Sequence, residues 1–219
     1  GNVPDSNAYS GHIKIKGRGN STWGFPKKPY KFKLDEKAAL LGMPEEKSWI
    51  LLANYGDISL MRNELAFTVS RMLELAYTPP AKYVEVVLNG DTLGNYQLVM
   101  PIDVSGHQVD VEEQTEGATT LPEISGGYMV EVDGYAGGEA QHFYTPRQQA
   151  HPPIGVTIHY PEDNVSAEQH DYIKNYFTAF ENALFSTQFT DTDDGYPTYV
   201  DIDSYVNYYL FIEILGNHD

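Results

Sequence analysis

The stretch GRGNSTWGFPKKPYKFKL, residues 17–34, concentrates more chemistry than any other part of the chain. Gly17 and Gly19 permit backbone angles closed to residues with a side chain. Arg18, Asn20 and Ser21 place donors on the turn between an entering strand (His12 to Lys16) and a leaving one (Tyr30 to Leu34). Such a turn can hold an anion through backbone N–H groups and a cation. Around it Lys14, Lys16, Arg18, Lys27, Lys28, Lys31 and Lys33 form a basic island in a chain of formal net charge −17, whose acid lies mostly after residue 100. An anionic ligand requires an island of this kind. Alternating lysine also protects an exposed sheet edge, and strand alternation sets Lys31 and Lys33 on one face with Phe32 and Leu34 on the other.

Three further groups carry chemistry, each with a plainer reading beside it. Asn217-His218-Asp219 follows a helix that is aromatic and apolar on several sides. If that helix is buried, Asp219 projects from the core as a base or metal ligand and Asn217 orients it; otherwise these are frayed terminal residues. Glu131 and Asp133, two apart on a strand, share a face and can bind Mg²⁺ or divide acid and base roles, or can be solvated acids at a strand end. Arg62 and Asn63 open a helix, where an anion is favoured, but an exposed arginine paired with a carboxylate contributes little. The seven histidines are scattered without HxxxH or HExxH spacing, which disfavours a catalytic zinc. The absence of GxSxG and GxxxxGK[ST] disfavours an α/β-hydrolase or a P-loop enzyme.

Composition bounds the rest. The length of 219 residues suits one large domain or two small ones, and 41% hydrophobic residues suffice for a core. The acidic balance argues against a nucleic-acid partner, since a phosphate backbone needs a basic surface. The chain has no cysteine, which rules out a disulfide or zinc–thiolate framework, and no stretch is apolar enough for a membrane span. Seventeen tyrosines, nine phenylalanines and two tryptophans suit aromatic-lined clefts as well as half-buried packing.

The elements that would position these groups read as an α+β arrangement. Residues 1–10 are a flexible N-terminus and 11–219 form a single domain. Strands are expected at 12–17 and 29–35, a short helical turn over AALLGM stopped by Gly42 and Pro44, and a buried strand at Trp49–Leu52. A helix from Ile58 to Glu74, capped by Asp57, carries Met61, Leu65, Val69 and Met72 at helical spacing. Asn89-Gly90 joins strands 82–88 and 96–100 as a hairpin. Residues 103–125 form an exposed loop, followed by strands at 127–133, 140–145 and 155–160. A capping box of Ser166 with Gln169 opens a helix bearing Tyr172, Tyr176, Phe180 and Leu184. A last helix runs from about 201–204 to Leu215 and ends at Gly216.

In this order the segments GRGNSTWGFPKKPYKFKL, LLGMPEEKSWILLANYGDISLMRNELAF, YVEVVLNGDTLGNYQLV, GGYMVEVDGY and YVDIDSYVNYYLFIEILGNHD resemble the spore coat protein H (CotH) kinase family, over nearly the whole chain from about residue 11. The resemblance implies an atypical protein-kinase-like fold, an antiparallel sheet with packed helices. It implies binding of ATP with Mg²⁺ and transfer of the γ-phosphoryl group to Ser or Thr of a secreted or surface protein, at an extracellular or cell-surface location. Asp219 matches the family's catalytic or metal-binding acid and Asn217 its companion. The Arg18–Ser21 turn, Lys31 and Lys33 fall on the nucleotide side, and Arg62 matches the arginine of the family's MRN block, where it can instead fix helix to sheet. Two departures stand out: Pro101 lies where family members carry a Glu, and the family continues past Asp219 to a further metal-site segment. The C-terminal part of the domain is thus expected to be missing and this chain inactive alone. The alternative is a catalytically silent surface or interaction module, carbohydrate-binding in one version.

Overall fold

The computed structural model describes residues 9–146, 152–162 and 164–216. The chain divides into two compact units, Gly1–Ile102 with Ile214–Asp219, and Asp103–Glu213.

The first unit is built on a five-stranded antiparallel sheet of β1 (Ile13–Gly17), β2 (Tyr30–Ala39), β3 (Glu45–Leu52), β4 (Ala81–Leu88) and β5 (Asp91–Val99), in the order β1-β2-β3-β5-β4. Period-two alternation fixes which face is apolar. Phe32 lies opposite Trp49, and Leu51 lies opposite both Tyr30 and Leu98. These side chains share one face, where Leu34, Met43, Trp49, Leu51, Ala53, Tyr96, Leu98 and Met100 form the core. Trp49, fully buried, donates its indole N–H to the Glu46 carbonyl at 3.0 Å, which removes the penalty of an orphaned donor.

The expected helical turn over AALLGM is instead the end of β2 and a tight turn into β3. Leu41 (φ 53°) and Gly42 (φ 77°) are both left-handed, and Met43 N–H donates to Leu40 C=O at 3.0 Å. That is primed-turn geometry, which matches the twist of a hairpin. Asn89 and Gly90 form the same kind of turn between β4 and β5, as expected.

The helix expected from Ile58 begins four residues later, as α1 (Arg62–Met72). Leu60 at φ 58° breaks the helical path, and Asp57 holds the intervening turn. Its Oδ1 accepts from Ser59 N–H at 3.0 Å and from the Ser59 hydroxyl at 2.6 Å, while Oδ2 accepts from Arg62 N–H at 2.8 Å. Asp57 therefore caps the helix, at longer range than the sequence suggests. The Met61, Leu65, Val69, Met72 stripe is not core: Met72 is 77% exposed, and the buried residue of α1 is Ser70, whose hydroxyl meets that of Thr78 at 2.6 Å.

The second unit holds a three-stranded antiparallel sheet of β6 (Met129–Val132), β7 (His142–Tyr144) and β8 (Gly155–Tyr160), with β8 central. Against it lies α2 (Ala167–Leu184), whose Ile173 joins Phe143, Val156 and Ile158 in a small core. The capping box forms as read: Gln169 N–H donates to Ser166 Oγ at 3.0 Å, and Ser166 N–H to Gln169 Oε1 at 3.0 Å. Residues 103–125 are more than an exposed loop. Gln169 Nε2 donates to Gln114 Oε1 at 2.8 Å, and Gln114 Nε2 in turn to Gly127 C=O at 2.7 Å, so two glutamines pin the segment to the start of α2.

The last helix, α3 (Ile202–Leu215), ends at Gly216 (φ 59°) as expected. Its expected burial does not follow: none of its residues is buried, and Tyr205, Tyr209 and Ile214 are more than half exposed.

Candidate functional site

The Gly17–Leu34 block is an ordered connection between β1 and β2. Arg18 N–H donates to Pro29 C=O at 3.2 Å, Trp23 N–H to Asn20 C=O at 3.2 Å and Phe25 N–H to Thr22 C=O at 3.2 Å. Those three amides already serve the turn. The glycines are required by close approach: a Cβ on Gly17 would lie 2.3 Å from the Trp23 ring, and Gly19 has φ 89°. Trp23 meets Tyr30 edge-on at 6.3 Å between centroids, with the Lys28 ammonium 5.3 Å from its own ring.

Two lysines of the island fasten this connection to the sheet. Lys27 Nζ donates to Asn95 C=O on β5 and stands 4.4 Å from the Tyr96 ring centroid. Burial pushes the Lys27 ammonium below the usual lysine range, and Glu85 opposes the shift. Lys28 Nζ donates to Trp23 C=O at 2.5 Å, and the Tyr96 hydroxyl donates to Lys28 C=O at 3.0 Å. Lys27 and Lys28 thus act as staples.

Lys31 and Lys33 are placed differently. In the β1–β2 register Lys16 lies opposite Lys31 and Lys14 opposite Lys33, so four ammonium-bearing side chains share the face away from Phe32 and Leu34. Among the described residues none of the four makes an ion pair. Arg18, Asn20 and Ser21 follow directly after β1, at the Lys16/Lys31 end of this array, and Asn20 and Ser21 are exposed. Arg62 begins α1 with its Nε 3.8 Å from Asp57 Oδ1, and its side chain is 82% exposed. That pairing holds Arg62 to the helix start. Ser59 and the Arg62 amide together hold the Asp57 carboxyl below the usual range.

Beside Arg62, Asn63 enters a network signalled only indirectly by the residue pattern. Its Nδ2 donates to Asn54 Oδ1 at 3.0 Å and to Gln97 Oε1 at 3.2 Å, and Asn54 Nδ2 donates to Gln97 Oε1 at 3.3 Å. Gln97 is wholly buried, and its Nε2 has no acceptor among the described residues. The network ties the first turn of α1 to the middle of β5. The readable signal was Gln97 itself, a lone amide in the apolar run Tyr96–Met100, because buried polar groups are rare and hydrogen-bonded.

Asn217 and Asp219 lie outside the described residues. In the second unit Glu131 Oε2 pairs with His159 Nε2 at 2.7 Å, while Asp133 accepts from the Thr157 hydroxyl at 2.9 Å and from Tyr135 N–H at 2.7 Å. The two carboxylates therefore hold different partners. Among the described residues no group of three or more His, Asp or Glu is arranged to hold a metal ion, and no helix is long and apolar enough to cross a membrane.

An antiparallel five-stranded sheet, a glycine-bearing connection between its first two strands, and a helix inserted between β3 and β4 define an α+β protein. The chain matches the family described as CotH kinase protein over residues 15–219, across both units, and it belongs to that family. No curated protein matches it.

Proposed function

We propose that the chain belongs to an atypical protein kinase that transfers the γ-phosphoryl group of ATP to Ser or Thr of a secreted or surface protein. The observation that carries this reading is the family match over residues 15–219. Phosphoryl transfer is mostly positioning and neutralisation of charge, and the described residues offer the second of these. Lys31 and Lys33, beside Lys14 and Lys16, form a cationic face without internal counter-charge, which fits the phosphates of a nucleotide. A kinase domain also carries a glycine-rich loop over the phosphates and a helix whose acid orients a lysine. Here the loop's counterpart is the Gly17–Gly24 turn and the helix's counterpart is α1. The acid of α1 departs from that pattern, since Glu64 pairs with Arg71 at 3.1 Å, and Pro101 stands where the family carries a Glu.

ATP bound with Mg²⁺ would supply the phosphoryl group and part of the charge neutralisation. The described residues fit the phosphate side of that group and provide no carboxylate cluster for the metal side. On the family resemblance the Asp219 carboxylate takes that place, accepting the substrate hydroxyl proton or ligating the metal, with Asn217 beside it. Arg62 positions α1 rather than touching substrate. The test is labelling of a Ser/Thr-containing substrate from γ-labelled ATP by a longer form that carries this chain with the family's segment after Asp219, and by its Asp219→Ala and Lys31→Ala/Lys33→Ala variants. Loss of labelling in both is expected, and equal labelling by the three proteins would remove these roles.

A further inference from the structure

We propose that the outer edge of β1 is a docking site for an extended segment of a partner protein in which acidic and apolar residues alternate, added to the sheet as a further strand. β1 is the terminal strand of its sheet, and all five of its residues are exposed. A terminal strand offers a row of backbone donors and acceptors to an incoming chain. What distinguishes this edge is its two faces. On one, Lys14 faces Lys33 and Lys16 faces Lys31, and like charges directly opposite one another destabilise a sheet. Among the described residues none of the four is relieved by an acid, although the chain carries 31 Asp and Glu.

On the other face Ile13 and Ile15 are 46% and 40% exposed. Ile13 lines an open groove of about 490 Å³ with Tyr9, Phe32, Leu34, Leu40 and Leu98.

Edge protection accounts for lysines on β1 alone. It explains neither the matching lysines on the inner strand β2 nor the apolar residues left exposed beside them. A partner strand explains both. Side chains alternate along it, so every second residue would lie next to Lys14 and Lys16, within reach of Lys31 and Lys33, while the residues between would lie over Ile13, Ile15 and the groove. Charge complementarity then selects acids at the first set, and the groove selects apolar residues at the second. The contact shares Lys31 and Lys33 with the phosphate face proposed above but adds the β1 edge and its apolar side, and it is measured without nucleotide, so it does not depend on phosphoryl transfer.

The test is fluorescence anisotropy with a labelled peptide of about ten alternating Asp and Val residues, long enough to span an ordinary strand. The control has the same composition with its Asp and Val residues in separate blocks. The alternating peptide is expected to bind at least about tenfold more tightly than the blocked one, and to weaken as salt is added. N-methylation of every second peptide amide is expected to abolish binding. Lys14→Glu/Lys16→Glu is expected to weaken it by about tenfold or more, with Lys14→Gln/Lys16→Gln intermediate, while circular dichroism of both variants is unchanged. Equal binding of both peptides or an unaffected double-Glu variant would each overturn the proposal.

Discussion

Replacing Gln97 or Asn63 removes members of one hydrogen-bonded network, yet the two replacements should differ in cost. Gln97 is wholly buried; its Oε1 accepts from Asn54 at 3.3 Å and Asn63 at 3.2 Å, while its Nε2 has no acceptor among the described residues. Gln97→Met keeps the length and volume of the side chain. It deletes two long hydrogen bonds, each worth about 0.5–1.5 kcal/mol net, and also deletes a buried unpaired donor whose desolvation costs about 1–3 kcal/mol. The two nearly cancel, and the expected change in stability is within about 1 kcal/mol of zero. Asn63→Ala removes the donor that serves both Asn54 Oδ1 and Gln97 Oε1. It leaves the unpaired Gln97 Nε2 in place, so nothing offsets the loss and the expected cost is about 1–3 kcal/mol. Urea unfolding followed by circular dichroism measures both, with unchanged m-values as the check that the denatured state is the same. A Gln97→Met protein destabilised as much as Asn63→Ala, or more, would show that the buried amide is fully satisfied and would refute the reasoning.

Gly17→Ala drives a Cβ to 2.3 Å from the Trp23 ring. Displacing that ring from Tyr30 and Lys28 is expected to cost about 1–2 kcal/mol and to shift Trp23 emission to the red, while buried Trp49 keeps its spectrum. Burial, with a smaller push from Glu46, raises the Tyr77 phenol to about 12. A raised folded pKa means that its contribution is fully present below the ordinary tyrosine value near 10 and is lost as pH climbs through about 12. Ultraviolet titration should therefore show an ionisation step near pH 12 among several raised tyrosines, and Tyr77→Phe should remove that step without loss of stability, because its buried hydroxyl has no partner among the described residues. Asp57 shows the opposite sign. Its carboxyl is held below the ordinary range of 3.8 first by the Ser59 hydroxyl and then by the Arg62 amide. Its support for α1 is expected to be complete above that range and to fade as pH falls through the lowered value, so Asp57→Asn should flatten the acid limb of a stability-against-pH curve.

The hairpin at Asn89-Gly90, the Ser166–Gln169 capping box and the Gly216 helix stop were legible because each depends on a few adjacent residues. Lysine alternation on β2 was legible for the same reason. The AALLGM segment was misread because its composition favours helix, whereas its conformation is set by Leu41 and Gly42 turning together between paired strands. Apolar spacing along Met61–Met72 and throughout α3 was correctly read as helical. It could not reveal that these faces stay exposed, since periodicity reports a helix and not its neighbours. The Asn54–Asn63–Gln97 network joins residues far apart in sequence, and only Gln97 hinted at it. Opposition of Lys14 to Lys33 and Lys16 to Lys31 likewise follows from strand register, which the individual strands do not state.

The central claim is that this CotH-family chain serves phosphoryl transfer with a lysine-bearing sheet face toward the phosphates and Asp219 at the reacting end. Its most direct measurement is the rate at which label passes from γ-labelled ATP in the presence of Mg²⁺ to serine or threonine, compared between a longer form that carries this chain with the family's segment after Asp219 and its Asp219→Ala variant, at equal folded concentration. Time-dependent labelling that the substitution abolishes is the expected result. Labelling that survives in Asp219→Ala, or no labelling together with no heat of ATP binding, would contradict it.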